Sequence, residues 1–558
     1  MRGHTLFIMA VAALISLGAG SSSAQTAAVP AVAAPPTVTV PTQAGQLRGV
    51  VDGAVTSFKG IPYTAAPTGN LRWMPPQPVV PWSGVRSAAG YGNDCMQHRF
   101  PFDSTPSYQP LSEDCLYLNV WAPAHPAAPA AVLVWIHGGG LVIGSGAAPV
   151  FDGAAFARKG VVLVTLNYRL GRFGFFAHPA LAAAHPGEPL GNYGLMDQIA
   201  ALQWVRNNIA AFGGDPANIT IFGQSSGGVS VAHLMAAPQA RGLFAKAIVQ
   251  SGGGREHWAR MNEAMDDHLG AHVSALDAGL VFAKGAGVSG TGADALAALR
   301  ALPAQKVLGD VSFINGDTAT DPAPMIDGSV AVEDTDAAFR NGRQAAVPLM
   351  IGTTDDELGA MPGIILRKTN KKLLLRFGER AAGLDTWYGS GKGRREDLFD
   401  DTAFVEPARY LARRQAAKSV PVWLYRFSYV ASSARDGDAG AEHASELPYL
   451  FGTLDRAPPL YSTTQLIVYW LLSQVGIHSL ERRQNSADDY NIGSDMQDAW
   501  IAFARSGDPN RPGSHAWPRY SADVDSLMTF SNDGPMAGPD PIKARLDYIT
   551  GSYPAAER

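Results

Sequence analysis

Cysteine is nearly absent from this chain, with two residues in 558, too few for a structural zinc quartet and enough for one disulfide at most. A positive excess is missing too. Lys and Arg total 44 against 49 Asp and Glu, a formal net charge of -5, so the phosphate-neutralising contacts that hold nucleic acid lack a source and no such partner is expected. No acidic tail and no HExxH zinc signature occurs, and no metal or organic cofactor is expected. Apolar runs stay short: the one from Leu466 to Leu472 is far below the ~20 residues that span a bilayer, and it is read as core packing or cover for a site entrance. What the chain does have is a 46% hydrophobic fraction with 60 Gly and 39 Pro, the composition of a loop-rich globular protein with a sizeable core.

At the start, Arg2 precedes an apolar run from Leu6 to Leu17 and small residues ending in Ser22, Ser23 and Ala24. That order is the one of a secretory signal cleaved after Ala24, so residues 1–24 are expected to be removed. No Cys follows the run, so no lipid or membrane anchor is expected, and the mature protein is expected to be secreted or periplasmic. Residues 25–41 are Ala-, Val-, Pro- and Thr-rich and are read as a flexible lead. Beyond them neither low-complexity sequence nor a repeat of 20 to 50 residues appears, so 42–558 is read as a single domain.

Two short apolar runs rich in β-branched residues, Ala131 to Ile136 and Val161 to Leu166, read as buried strands. Ile219 to Phe222 is a third, with Pro348 to Ile351 and Val422 to Phe427 further on. Between the second and third, Ile199, Leu202, Val205 and Ile209 recur at helical spacing within Met196 to Ala211. Strands alternating with helices predict an α/β architecture: a mostly parallel sheet covered on both faces, with ligands beyond the carboxyl ends of the strands.

The third strand runs straight into Gly223-Gln-Ser-Ser-Gly-Gly228 and then into a helix-like Val229 to Met235. A serine hydroxyl is a weak nucleophile, and a tight strand-to-helix turn exposes its oxygen to a base and a substrate at once. GxSxG in that setting is the nucleophile turn of α/β-hydrolases and nominates Ser225.

The stretch Phe212-Gly-Gly-Asp-Pro-Ala-Asn-Ile-Thr-Ile-Phe-Gly-Gln-Ser-Ser-Gly227 resembles the serine signature of the type-B carboxylesterase family, which includes the cholinesterases. Glu113-Asp-Cys-Leu-Tyr-Leu-Asn-Val-Trp-Ala-Pro123 resembles its second diagnostic block. Family-like segments recur at Phe58–Tyr63, Asn167–Gly171, Gly191–Leu195 and Ser506–Asn510, so the resemblance covers nearly everything after residue 40. It implies an α/β-hydrolase fold, a Cys95–Cys115 disulfide, and a serine carboxylesterase acting on small-molecule esters through an acyl-enzyme.

His137-Gly-Gly-Gly140 follows the first strand. By similarity Gly139, Gly140 and Ser226 supply the N–H groups of an oxyanion hole, and His137 is structural. The base should follow the serine and the acid in chain order. Among 13 histidines, His443 lies in a segment resembling the family's histidine block, with His478 as its rival. For the acid, Pro348 to Leu358 resembles the family's strand-end segment and aligns Glu357 with its acidic member, while Asp355 and Asp356 compete. A His base must be neutral, so activity is expected to rise through pH ~6 to 7.

Some features depart from the family or mislead. Gln224 stands where many relatives carry Glu, which removes a negative charge beside the nucleophile. The loop between the cysteines holds no Trp, which disfavours choline esters. By resemblance Trp258 is read as an acyl-pocket wall, with an ordinary core indole as the alternative, and Arg255 as a cation for an anionic acyl group. Gly285 to Gly290 matches GxGxxG with Asp310 beyond it, yet helical patterns on both sides make it a helix-connecting loop rather than a dinucleotide site. Two rivals to ester hydrolysis stay open: amides, carbamates or lactones cleaved by the same apparatus, and a non-catalytic binding module.

Overall fold

The centre of the sheet is built from strands that are buried along their whole length. In the computed structural model, which describes residues 35–558 except 100–102, 256, 268–269, 312–321, 358–373, 375, 390–396, 436–439 and 457–484, thirteen strands form one sheet. They are β1 (Thr37–Thr42), β2 (Gly45–Asp52), β3 (Val55–Pro62), β4 (Val85–Ser87), β5 (Tyr117–Pro123), β6 (Ala130–Ile136) and β7 (Val162–Leu166), followed by β8 (Gly214–Gln224), β9 (Lys246–Gln250), β10 (Leu349–Thr354), β11 (Val422–Phe427), β12 (Ser526–Ser531) and β13 (Gly534–Pro539). Their order is β1-β2-β3-β5-β7-β6-β8-β9-β10-β11-β12-β13, with β4 beside β2. From β7 to β12 every neighbouring pair is parallel. Both margins turn antiparallel, so the sheet is mixed at its edges and parallel in the middle.

Every residue of β6, β7, β9, β10 and β11 is buried, as strands covered on both faces must be. Alternation along β6 divides the core in two. Val132, Val134 and Ile136 join the cluster on one face, and Leu133 and Trp135 the cluster on the other. Each such side chain contributes roughly 1.5–3 kcal/mol by leaving water, which holds the central strands in register. The main helices are α1 (Tyr193–Asn208), α2 (Ser226–Ala236), α3 (Glu406–Ala416), the short α4 (Leu447–Phe451) and α5 (Ala487–Ser506). Among the described residues no helix is long and apolar enough to cross a membrane.

Residues Pro36–Arg558 make one compact unit. The flexible lead expected over 25–41 is too long at its C-terminal end, because Thr37–Thr42 is a strand paired with β2. β-branched residues alternate there, Val40 is buried, and Pro41 is tolerated because the strand lies on the sheet's edge. The signal segment 1–24 lies outside the described residues, as do Leu466 to Leu472 and His478. Two boundaries also move. β8 extends to Gln224, reaching the turn that carries Ser225, and α1 gives way to a 3₁₀ turn over Ile209–Phe212 that Gly213 closes at φ 81°. The Gly285–Gly290 loop does connect helices, Ala275–Gly285 and Ala293–Ala301. Cys95 and Cys115 form the disulfide.

Candidate active site

Parallel pairing brings five strand ends to one edge of the sheet. Gly223 of β8 sits opposite Ile136 of β6, Gln224 opposite Gln250 of β9, Gln250 opposite Gly352 of β10, and Thr354 of β10 opposite Phe427 of β11. The loops beyond these ends carry residues 137–140, 225, 355–357 and 440–443. Strand register therefore assembles segments more than 300 residues apart.

Ser225 occupies the turn between β8 and α2 with φ 57° and ψ -130°, a region that residues with a side chain rarely adopt and that costs about 1–3 kcal/mol. The turn is held rather than relaxed: the Ser225 N–H donates to the Gln250 carbonyl at 2.9 Å, and the Val229 N–H to the Ser225 carbonyl at 2.9 Å. Gly227 is required because a Cβ there would lie 2.1 Å from the Ile136 carbonyl oxygen. A side chain at that position would push α2 off the end of β6.

Gly139 and Gly140 adopt φ 110° and 59°. The Gly139 carbonyl accepts from the N–H groups of Val142 and Ile143, both at 3.0 Å, which curls the loop back on itself. The Leu141 N–H donates to the Ser226 hydroxyl at 3.1 Å, tying this loop to the first residue of α2. Ser226 opens that helix, so its own N–H has no intrahelical acceptor. His137 does not reach out of the fold. Its ring stacks on Tyr168 with centroids 4.5 Å apart, Nδ1 lies 2.8 Å from the Gly138 carbonyl, and burial pushes its pKa down to about 4, so it stays neutral.

His443 donates from Nδ1 to Glu357 Oε2, and Oε1 of the same carboxylate accepts from the Thr354 N–H at 3.0 Å. Glu357 is 1% exposed. About a quarter of the His443 side chain reaches solvent. Burial opposes protonation of the imidazole, but the charge and hydrogen bond of Glu357, with the charge of Glu446 behind them, outweigh it and hold its pKa above the ordinary 6.5. On the other ring nitrogen, Nε2 lies 3.1 Å from the side-chain amide nitrogen of Gln224. Among the described residues that amide, and not the Ser225 hydroxyl, is the hydrogen-bond neighbour of Nε2. Free enzymes often close the serine–histidine contact only with substrate bound.

Asp355 and Asp356, the neighbours of Glu357, face elsewhere. Asp355 Oδ1 accepts from the Ala441 N–H at 2.7 Å and Asp356 Oδ2 from the Gly440 N–H at 3.2 Å. Gly440 has no room for a side chain, since a Cβ would lie 2.7 Å from the Asp356 Cβ. The two carboxylates thus clip the histidine loop to the end of β10.

Sequence reading missed three residues near the imidazole. Glu446 is 1% exposed. It accepts from Gln250 Nε2 at 3.1 Å, and Gln250 Oε1 in turn accepts from Trp500 Nε1 at 3.2 Å. Burial, and then the charge of Glu357, push the Glu446 carboxyl up to about 7. The third, Phe404, sets its ring 5.2 Å from the imidazole. Glu446 was findable, because it stands three residues after His443, in the turn that leads into α4. Gln250 and Phe404 left no local signal.

Two sequence-nominated pocket residues have close partners of their own. Arg255 was read as a cation for an anionic acyl group, and its surroundings correct that: Nε and Nη2 donate to both oxygens of Glu406 at 2.8 and 2.6 Å, Nη1 donates to the Glu557 carbonyl, and the rings of Tyr410 and Tyr553 lie 3.7 Å from the guanidinium carbon. A charge so paired and covered is not offered to a substrate. Trp258 is 6% exposed, its N–H group on the main chain donating to Asp334 and its ring lying 4.7 Å from that of His233 on α2, so its contacts are those of a core indole.

Comparison with known proteins agrees with the architecture. The model of the carboxylesterase family matches residues 35–388 and 390–541. The chain is 33% identical over 524 residues to a fumonisin B1 esterase of Sphingopyxis macrogoltabida, covering 90% of this chain and 88% of that protein. It is 34% identical over 522 residues to a para-nitrobenzyl esterase of Bacillus subtilis, covering 88% and 96%. A solved structure of a PNB esterase superposes with a TM-score of 0.74 at 30% identity, covering 93% of this chain and 99% of that one.

Proposed function

Since the chain belongs to the carboxylesterase family and is a carboxylic ester hydrolase, we propose that it cleaves small-molecule esters through an acyl-enzyme on Ser225, with His443 as base, Glu357 as its orienting acid, and the N–H groups of Gly139, Gly140 and Ser226 as the oxyanion hole. The observation that carries this reading is the strained Ser225 turn on the same sheet edge as an imidazole whose far nitrogen is already bonded to a buried carboxylate.

In this reading Ser225 Oγ attacks the ester carbonyl and its proton passes to His443 Nε2. Glu357 keeps the other ring proton on Nδ1 and stabilises the imidazolium that forms. Charge gathers on the carbonyl oxygen, where each positioned N–H lowers the barrier by roughly 3–4 kcal/mol. The imidazolium returns its proton to the departing alcohol, and water repeats the sequence to free the acid. No metal or organic cofactor enters any step. A fluorophosphonate ester tests the reading: one label per chain is expected, on the peptide carrying Ser225. A label on another residue, or none alongside ester turnover, would sink it.

The acid limb of the pH profile follows from the imidazole. A base whose pKa is raised must lose its proton later, so kcat/KM is expected to rise through a pH above 6.5 rather than below it. The link to stability has the opposite sense. A raised imidazole pKa stabilises the fold fully below pH ~6.5, and that contribution is lost as pH rises through the folded-state value. A profile flat from pH 5 to 9, recorded with one p-nitrophenyl ester, would contradict the assignment of the base.

Export is the second half of the proposal. The order of Arg2, the Leu6–Leu17 run and Ala24 supports it, and the Cys95–Cys115 disulfide suits an oxidising compartment. Intact mass of protein recovered outside the cytoplasm is expected to begin at Gln25. A mass that includes Met1 to Ala24 would refute it.

A further inference from the structure

We propose that Gln224 is a positioning residue that caps the Nε2 lone pair of His443 in the resting enzyme through its side-chain N–H, and that the cap is surrendered to the Ser225 hydroxyl when an ester binds. The proposal builds on reading Ser225, His443 and Glu357 as the reacting set. It concerns what the base does before substrate arrives.

The protonation pattern follows from the partners. Nδ1 faces a carboxylate, which only accepts, so the proton of a neutral ring sits there and Nε2 carries a lone pair. A group 3.1 Å from a lone pair must donate, and the amide nitrogen of Gln224 does. The other groups around the imidazole do not take that place: Glu357 is spent on Nδ1, Glu446 is bonded to Gln250, and Phe404 presents a ring. Gln224 is itself 3% exposed, wedged under the oxyanion loop. Gly138 makes room for it, since a Cβ at 138 would stand 3.1 Å from its Oε1 and 2.7 Å from its backbone carbonyl.

Ser225 is the next residue in the chain and is aimed by its turn at the same edge. One lone pair takes one strong hydrogen bond, so the amide and the hydroxyl compete for it. When the hydroxyl wins, the serine proton passes to Nε2 while the amide keeps both its hydrogens, and no further reactant is needed. The identity of the side chain matters. A carboxylate in this place, as many relatives carry, would favour the protonated ring and raise the pH at which the base becomes free. A neutral donor keeps the base unprotonated and unoccupied by solvent.

The test uses the full-length protein, a fluorophosphonate probe and three variants. Gln224→Met keeps the length of the side chain and removes the donor. At pH 9 it is expected to label about 3- to 10-fold faster than wild type, the change that loss of one neutral hydrogen bond produces. Gln224→Glu is expected to move the acid limb of labelling up by about one to two pH units. The third readout is the ¹⁵N signal of His443 Nε2 in Ser225→Ala at pH 9, where a hydrogen-bonded lone pair is expected although the hydroxyl is gone. Labelling of a folded Gln224→Met at the wild-type rate or slower, or a free lone pair in Ser225→Ala, overturns the cap and leaves the triad intact. Absence of any wild-type label on Ser225 overturns the triad itself, so the two failures are distinguishable.

Discussion

Ser225→Ala is expected to lower kcat for a p-nitrophenyl ester by about 10⁴- to 10⁶-fold, the scale seen when a serine nucleophile is removed from an otherwise complete hydrolase. The substitution deletes one oxygen and little else. The backbone bonds that hold the turn, from the Ser225 N–H to Gln250 and from Val229 to the Ser225 carbonyl, do not involve the side chain, and alanine accepts the strained φ about as well as serine. Thermal melting should therefore stay near that of wild type while turnover collapses. The remaining rate would come from the oxyanion loop acting on bound ester and water. A loss smaller than tenfold would mean that the nucleophile lies elsewhere.

Glu357→Gln is expected to cost about 10³- to 10⁴-fold in kcat with KM nearly unchanged, because the harm is to the base and not to binding. Glu357 has two tasks, accepting from the Thr354 N–H and from His443 Nδ1. An amide has one oxygen, so one task is lost. If its NH₂ turns to the ring, Nδ1 must give up its proton and Nε2 takes it, which leaves no lone pair for Ser225. Asp355→Asn and Asp356→Asn make the contrast. Their oxygens accept from backbone N–H groups of the histidine loop, a role that an amide oxygen also fills, so each should cost less than about tenfold. A loss at Asp356→Asn equal to that at Glu357→Gln would transfer the acid's role to Asp356.

Much of the architecture was legible because it is local. Ala131 to Ile136 and Val161 to Leu166 read as strands buried on both faces, and they lie in the middle of the sheet. The strand, turn and helix around Ser225 were readable for the same reason: an apolar run, two glycines that leave room for backbone, and a second apolar run state their geometry within twenty residues. The edge strand Thr37–Thr42 was lost because its composition resembles a linker. What distinguishes it is a pairing partner, β2, and propensity does not reveal partners. Arg255 went astray in a related way. A guanidinium announces what it can do, while the company it keeps, here Glu406, decides what it is left free to do.

By itself the sequence determined the family, the order of the central elements and which residues could hold the chemistry, since these depend on side-chain type and short spacing. Only the tertiary structure decided how those residues are used. Gln224 meets His443 across 219 positions, Arg255 is neutralised by Glu406 across 151, and Gln250 joins Glu446 across 196. Contacts of that span are created by strand register and helix docking, where a shift of a single residue would turn each side chain to the opposite face, and no local pattern records the outcome.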